Sequence, residues 1–337
     1  MILVGSGHSM AGQVTCDKVV ETTEYLLLSL ENIPINYSLD GQLLTVSAQA
    51  TWRDVIQFLK RTESALAPGI MQDFSIFTVA GTMSANAMGR DPNFGPVIDS
   101  VQSFTLLKAN GESITCSRSV NSDCFQAVIG GYGAFGIILD ATLSLVPDVM
   151  ISPLRFRLTL PEYADHLNTR VVGEKKLDKH FGLVDVDNGQ IFVNVIEYYK
   201  AKNSKDIPEA LQQHTQTSHN ASETTTRREY LDEHRFSFQW GERERSSQLL
   251  SVAIPLPDHQ AFMLGIPQLL EHLDQLHLHE ITTKYVPRPE SENLLPLITT
   301  NSVVFVFMIE NLPEYQHELA EFKDNLYTLV RSLNGRP

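Results

Sequence analysis

Val4-Gly5-Ser6-Gly7-His8-Ser9-Met10-Ala11-Gly12-Gln13 is Gly-rich, follows a short apolar run and carries a histidine at its centre. Closely spaced glycines let backbone N–H groups turn towards an anion, which suits a diphosphate. A phosphate loop ordinarily links a strand to a helix. The stretch matches neither the Walker pattern nor G-x-G-x-x-G, so alone it also reads as a plain Gly-rich turn. Its meaning depends on two other stretches.

The first is Thr78-Val79-Ala80-Gly81-Thr82-Met83-Ser84-Ala85-Asn86-Ala87-Met88-Gly89-Arg90-Asp91. A packed core does not need so many small residues in a row, whereas close backbone approach to a flat ligand does. The second is Ile129-Gly130-Gly131-Tyr132-Gly133-Ala134-Phe135-Gly136-Ile137-Ile138, with four glycines in seven residues ahead of a strand-like apolar pattern.

In this order and spacing the three stretches resemble the flavin-binding domain of the vanillyl-alcohol oxidase superfamily, also called p-cresol methylhydroxylase-type. Gly5 to Ser9 is similar to the G-x-G-H-S of alditol oxidases and cytokinin dehydrogenases. Thr78 to Ser84 resembles their T-V-G-G-T/A-x-S. Gly95-Pro96-Val97-Ile98-Asp99-Ser100-Val101 with Ala109-Asn110-Gly111 resembles their G-x-x-x-D-x-V and A-D-G hairpin. Gly130 to Ile137 resembles their closing G-G-x-G-x-F-G-I.

The resemblance implies an α+β, two-domain architecture. Residues 1–148 would form a p-cresol methylhydroxylase-type FAD-binding domain without its first βαβ unit. Residues 149–337 would form an antiparallel-sheet, substrate-binding cap with a polar insertion at about 200–235. Set against the family, the chain reads as shortened at both ends, which is expected to weaken FAD binding. The cofactor implied is FAD. Its expected contacts are Gly5, Ser6, Gly7, His8, Ser9 and Gln13, then Thr78, Val79, Ala80, Gly81, Thr82, Ser84, Asn86 and Gly89, and finally Gly131, Gly133, Gly136, Ile137 and Ile138. Backbone groups of 5–9 and 79–82 are expected to cradle the diphosphate. In flavinylated relatives the histidine matching His8 is bonded to the flavin ring; a loop histidine that only hydrogen-bonds is the plainer alternative.

Thr282-Thr283-Lys284-Tyr285-Val286 is similar to the cap strand that carries a Glu and an Arg towards substrate in alditol-oxidase-like enzymes. Thr282 and Lys284 are therefore the expected catalytic pair, against a solvent-facing Lys as the plain reading. Met88 departs from the family, since bacterial relatives place a histidine there. The activity implied is FAD-dependent oxidation of a polyol, sugar or sugar lactone by hydride transfer to flavin N5, with O₂ or another acceptor closing the cycle. A lipid-linked sugar or sterol-like substrate is an alternative, needing an apolar channel lined by Phe305 and Phe307. A non-catalytic scaffold that keeps the fold is another.

Composition bounds these readings. The 337 residues suggest two domains, and 42% hydrophobic with 20% charged residues describes an ordinary globular chain. A net charge of −14 excludes a general nucleic-acid or anionic-membrane partner. The expected partner is a small molecule. No apolar run reaches membrane-spanning length. Cys16, Cys116 and Cys124 are odd in number and suit no metal site, so reduced thiols and a cytoplasmic location are expected. His277 and His279 lack a matching carboxylate, so no metal is expected. No G-x-S-x-G elbow accompanies Ser6 or Ser9.

Local patterns predict a strand at 43–48, a helix capped by Thr51 with Asp54 three residues on, and a hairpin at 100–117 turned by Asn110-Gly111. Residues 137–146 read as a strand and 123–128 as a helix. Later strands are predicted at 154–160, 182–186, 190–198, 247–254, 280–286 and 302–309, with helices at 259–276 and 313–333.

Overall fold

The computed structural model describes residues 2–4, 27–29, 34–187, 190–207, 224–232, 247–271, 278–291, 293–294, 296–310 and 315–337. Two short strands, β1 (Ile2–Val4) and β2 (Leu27–Ser29), pair in parallel.

A first antiparallel sheet is built from β3 (Tyr37–Asp40), β4 (Leu43–Ser47), β5 (Leu66–Pro68), β6 (Val101–Leu107), β7 (Ser113–Ser117) and β8 (Ile137–Pro147). Their order is β3-β4-β8-β6-β7, with β5 also on β8. Strand β4 alternates as a half-buried strand should, with Leu44 and Val46 fully buried. Helix α1 (Trp52–Arg61) starts where it does because Thr51 and Asp54 form a reciprocal capping box. Its Trp52, Val55, Ile56 and Leu59 enter the core beneath the sheet. Helix α2 (Val79–Ser84) and helix α3 (Ser122–Val128) complete this part.

The cysteine expectation is corrected here. Cys116 on β7 and Cys124 on α3 form a disulfide, because the chain folds back between them and brings their Cα atoms to 5.8 Å. Cys16 lies outside the described residues.

The second sheet begins three residues after the first ends. It orders β12-β9-β11-β10-β14-β15-β13 and is antiparallel throughout. Its strands are β9 (Met150–Thr159), β10 (Leu177–Asp187), β11 (Gln190–Lys200), β12 (Thr225–Thr226), β13 (Ser247–Pro255), β14 (Leu278–Val286) and β15 (Ser302–Glu310). Helix α4 (Leu160–His166) carries a second capping box, Thr159 with Glu162, and runs into a π-turn at Leu167–Val171. Helices α6 (His259–Glu271) and α7 (Gln316–Ser332) pack on the sheet through Phe262, Ile266, Leu319, Phe322 and Leu326.

Two sequence expectations change. The polar stretch at about 200–235 is not all insertion: β12 and helix α5 (Arg227–Asp232) within it pack on the body, with Tyr230 and Leu231 in the first core. Charge and hydroxyls in this stretch hid a buried arginine. Phe305 and Phe307 line no channel; both are fully buried, packed on Phe262 and Phe322.

Candidate functional site

The two small-residue stretches after residue 77 meet in space. The N–H of Gly130 donates to the Met83 carbonyl at 2.9 Å and that of Tyr132 to the Ser84 carbonyl at 3.0 Å. Asn293 of the second sheet's side donates to the Ile129 carbonyl, closing the junction. Gly81 and Ala85 on α2 are exposed, as are Tyr132, Gly133, Ala134 and Phe135 on the loop. Tyr132 holds φ at +50° and is 67% exposed, while Phe135 is 45% exposed. A bulky residue in the left-handed region, exposed beside small neighbours, is the kind of outlier that marks a ligand-facing loop. This low, partly aromatic platform fits a flat cofactor.

Several expected contacts serve the protein itself. The N–H groups of Val79 and Ala80 donate to the carbonyls of Ala50 and Ala48, that of Gly81 to the Thr78 hydroxyl, and that of Thr82 to the Thr78 carbonyl. The donors expected at 79–82 for a diphosphate are thus already occupied. Thr82 is buried, accepting from Trp52 at 2.9 Å and donating to Gln72 at 2.7 Å. Val79 and Ile138 are buried, and Ile137 nearly so. Asn86 accepts the N–H of Ile98. A Cβ on Gly89, Gly131 or Gly136 would collide with the carbonyl of Met71, Ala127 or Leu107 respectively, so these glycines answer to protein backbone. Ala80, Gly81, Ser84 and Gly133 stay accessible on the platform side. Gly5, Ser6, Gly7, His8, Ser9 and Gln13 lie outside the described residues.

A pocket opens at the junction of the two sheets. Residues 69–73, 89–91 and 94–95 line it from one side, Lys179 from β10, and Tyr230 and Leu231 from α5. At its edge Arg90 grips Asp73 through two contacts, Nε to Oδ1 at 2.6 Å and Nη2 to Oδ2 at 2.9 Å. The guanidinium also lies over the Phe181 ring, 3.7 Å from its centroid. Burial alone would raise the Asp73 pKa; the charges of Arg90, Lys284 and Lys179 outweigh it and hold the carboxyl below its ordinary range. The Tyr230 hydroxyl is buried beside Arg90 without a partner in hydrogen-bond geometry, and burial pushes its pKa well up.

Of the expected catalytic pair, Lys284 reaches this locus. Its Nζ donates to the Met88 carbonyl at 3.0 Å, and burial lowers its pKa while Asp73 opposes the shift. Thr282 sits two residues away on the same face of β14, paired with Leu183 and Val306. The same face carries Glu280, whose pKa burial raises, with Asp73 adding to the rise and Arg90 opposing it. Glu280 is thus the carboxylate on the face that carries Thr282 and Lys284. Met88 has a structural explanation: its side chain packs on Ala253, Val286, Ile298 and Val304 of the second sheet's side.

Asp73, Lys179, Tyr230 and Glu280 were not legible as site residues. Asp73 lies in Gln72-Asp73-Phe74-Ser75, which has no periodicity or spacing to flag it. Only a charged residue close to a small-residue loop would have drawn attention to it.

Comparison with known proteins agrees with this geometry. Residues 1–117 match the family described as FAD binding domain. Cytokinin dehydrogenase 1 of Oryza sativa subsp. japonica is 34% identical over 162 residues, covering 48% of this chain and 29% of the relative. Cytokinin dehydrogenase 3 of Arabidopsis thaliana is 31% identical over 191 residues, covering 56% and 35%. An uncharacterized oxidoreductase, ORF5 of the fasciation locus of Rhodococcoides fascians, is 33% identical over 143 residues, covering 42% and 31%. The matches thus span about a third of these relatives' length. Residues 1–117 are thus similar to an FAD binding domain, and the cofactor this likeness indicates is FAD.

Proposed function

We propose that the chain acts as an FAD-dependent oxidoreductase on a small organic substrate held in the pocket between the two sheets. The observation that carries this is the Asp73–Arg90 pair, set at the pocket with Lys284 arriving from the second sheet. The two sheets are read as two domains, divided at residues 148 and 149, with the second as cap. FAD supplies a two-electron acceptor when bound. Ala80, Gly81, Ser84 and the Tyr132–Phe135 loop would hold it, together with the stretch from Gly5 to Gln13 and His8 as the point of any covalent link.

The chain's own residues then bind and orient. Asp73, kept as a carboxylate, accepts a hydrogen bond or a proton from a substrate O–H or N–H. Arg90 fixes that carboxylate through a two-point contact and cannot itself lose a proton. Tyr230 lines the pocket, Lys284 brings an ammonium near Asp73, and Thr282 lies along the Lys284 face. Leu231, Phe94 and Ile70 supply apolar wall.

The named relatives are cytokinin dehydrogenases, and that likeness supports a cytokinin as the first substrate to test. Polyols, sugars and sugar lactones form the second arm, with a lipid-linked sugar or sterol-like compound as a third. No helix among the described residues is long and apolar enough to cross a membrane. The Cys116–Cys124 disulfide supports an oxidising compartment rather than the cytoplasm.

The test is direct. The purified chain is given FAD, and its visible spectrum is read before and after acid precipitation. Each substrate class is then added without oxygen, and loss of the oxidised flavin band is followed. Bleaching by a cytokinin alone selects that class; bleaching by polyols alone selects the other. Air restoring the band identifies O₂ as an acceptor. Colour in the acid pellet that His8→Ala abolishes assigns a covalent link. A folded chain that takes up no FAD overturns the proposal and leaves a scaffold.

A further inference from the structure

The second sheet holds a cluster that the reading above does not use. His166 ends helix α4, His180 lies on β10 and Glu197 lies opposite it on β11, in direct cross-strand register. One carboxylate oxygen, Glu197 Oε1, stands 2.7 Å from His166 Nε2 and 3.0 Å from His180 Nδ1. The three ligand-capable atoms lie within 4.8 Å of one another, and all three side chains are buried. Spacing in sequence could not reveal this, since the residues are separated by 31 and 17 positions.

We propose that His166 Nε2, His180 Nδ1 and Glu197 Oε1 form a transition-metal site inside the cap, of the two-histidine, one-carboxylate class that zinc takes. The proposal stands apart from the flavin reading.

Three observations support it. The first is the outer ring of hydrogen bonds. The Tyr199 hydroxyl donates to Glu197 Oε2 at 2.8 Å, which leaves Oε1 as the ligand atom. His180 Nε2 lies 3.0 Å from the Tyr163 hydroxyl, which fixes the ring and leaves Nδ1 pointing inward. Metal-bound histidines and carboxylates are held by partners of this kind.

The second is charge. The Glu197 carboxyl is only 1% exposed, so water does not screen its charge. Among the described residues the ion-pair partners of Glu197 are these two histidines. A buried carboxylate needs a cation. A neutral imidazole and an ionised carboxylate are the forms that bind a metal.

The third is size. Ligand atoms on one tetrahedral zinc stand roughly 3.3 Å apart. The contacts from the histidines to Glu197 therefore need to open by only roughly half an ångström to admit an ion. Three protein ligands leave a further position for water.

The rival is an ion-free cluster, closed by the same contacts from the two histidines to Glu197. The experiment separates the two. The full chain is purified, its metal content is measured by mass spectrometry after gel filtration, and it is then stripped with chelator. Zinc alone is titrated back against a chromogenic competitor, and thermal melts are recorded with and without zinc. One equivalent of zinc per chain is expected, with a raised melting temperature in its presence. His166→Ala, on the least buried of the three, is expected to weaken zinc by more than about tenfold. Glu197→Gln is the second variant. Should either fail to fold, the wild-type titration and melt decide by themselves. Wild type that holds no zinc and melts the same with and without it overturns the proposal, as does equal zinc affinity in a folded His166→Ala chain. Flavin content does not enter the readout, so failure here is distinguishable from failure of the oxidoreductase reading.

Discussion

Asp73 carries the most consequence per atom. It is 27% exposed on its side chain, yet its two oxygens are committed to Arg90, a residue 17 positions away. Asp73→Asn keeps the shape and removes the charge. We expect it to lower kcat/KM by about 10²–10⁴ for whichever substrate bleaches the flavin, with FAD content unchanged. Steady-state kinetics beside the visible spectrum would check this; an unchanged kcat/KM would remove Asp73 from the mechanism. The pH sign follows from the lowered pKa. A carboxyl depressed in the folded state adds stability above its unfolded value, about 4, and that stability is lost as pH falls through the folded value. Urea melts of wild type should therefore weaken below about pH 4 more steeply than melts of Asp73→Asn. Side chains of this kind are the part the sequence hides. Asp73, Lys179 and Glu280 acquire meaning from groups on other elements, and no local pattern encodes those meetings. Lys284 could be expected only because a neighbouring strand pattern resembled a family.

Elements were more legible, because their signals are local. Thr51 and Asp54 announce α1, and both reciprocal bonds form: the Asp54 N–H donates to Thr51 Oγ1 at 3.2 Å and the Thr51 N–H to Asp54 Oδ2 at 2.9 Å. Asn110-Gly111 turns the β6–β7 hairpin, with Gly111 at φ +84°. Thr51→Ala should cost about 1 kcal/mol in a denaturant melt. A loss indistinguishable from zero would mean that tertiary contacts, not the cap, set the start of α1. The β7–α3 link failed to show in the sequence for the opposite reason. Cys116 and Cys124 are joined across a short return whose geometry is set by Asn121 at φ +50°, not by cysteine spacing. Closing that short loop is worth roughly 2–3 kcal/mol on the chain-entropy scale. Cys124→Ser should lower stability by that amount in non-reducing buffer and by nothing once reductant is present. Equal losses in both buffers would show that packing at Cys124 matters rather than the bond.

At the scale of the whole molecule, a buried arginine is one of the groups that join the two sheets, beside Asn293 on the Ile129 carbonyl and Lys284 on the Met88 carbonyl. Arg227 donates from Nη1 to Asp91 at 2.8 Å and to Asp178 at 2.6 Å, from Nε to the Pro68 carbonyl at 3.2 Å, and from Nη2 to the Gly69 carbonyl at 2.5 Å. It thereby joins the edge of the first sheet, the loop after α2 and the start of β10, and it seats α5 so that Tyr230 and Leu231 reach the pocket. The Asp178 pKa is lowered because Lys179 and Arg227 outweigh its burial. Polar composition led the stretch around 227 to read as insertion, since burial of an arginine depends on two aspartates far away in sequence. Arg227→Met removes the cation and leaves Asp91 and Asp178 facing each other in the interior. Breaking a buried pair from one side costs about 3–5 kcal/mol, whereas replacing all its charges together can be neutral. We therefore expect Arg227→Met to lose about 3–5 kcal/mol in urea melts and to gain protease cleavage around 224–232. Adding Asp91→Asn and Asp178→Asn to it should recover much of the stability. Lys179 sets the limit of that recovery: its ammonium lies 3.0 Å from Asp178 and its pKa is already lowered by burial and by Arg227. With both aspartates neutral it loses its counterions, so the triple variant should regain stability most fully at alkaline pH, where that lysine is uncharged. A triple variant no better than Arg227→Met at any pH would show that the arginine's bonds to Pro68 and Gly69, rather than charge balance, hold the sheets together.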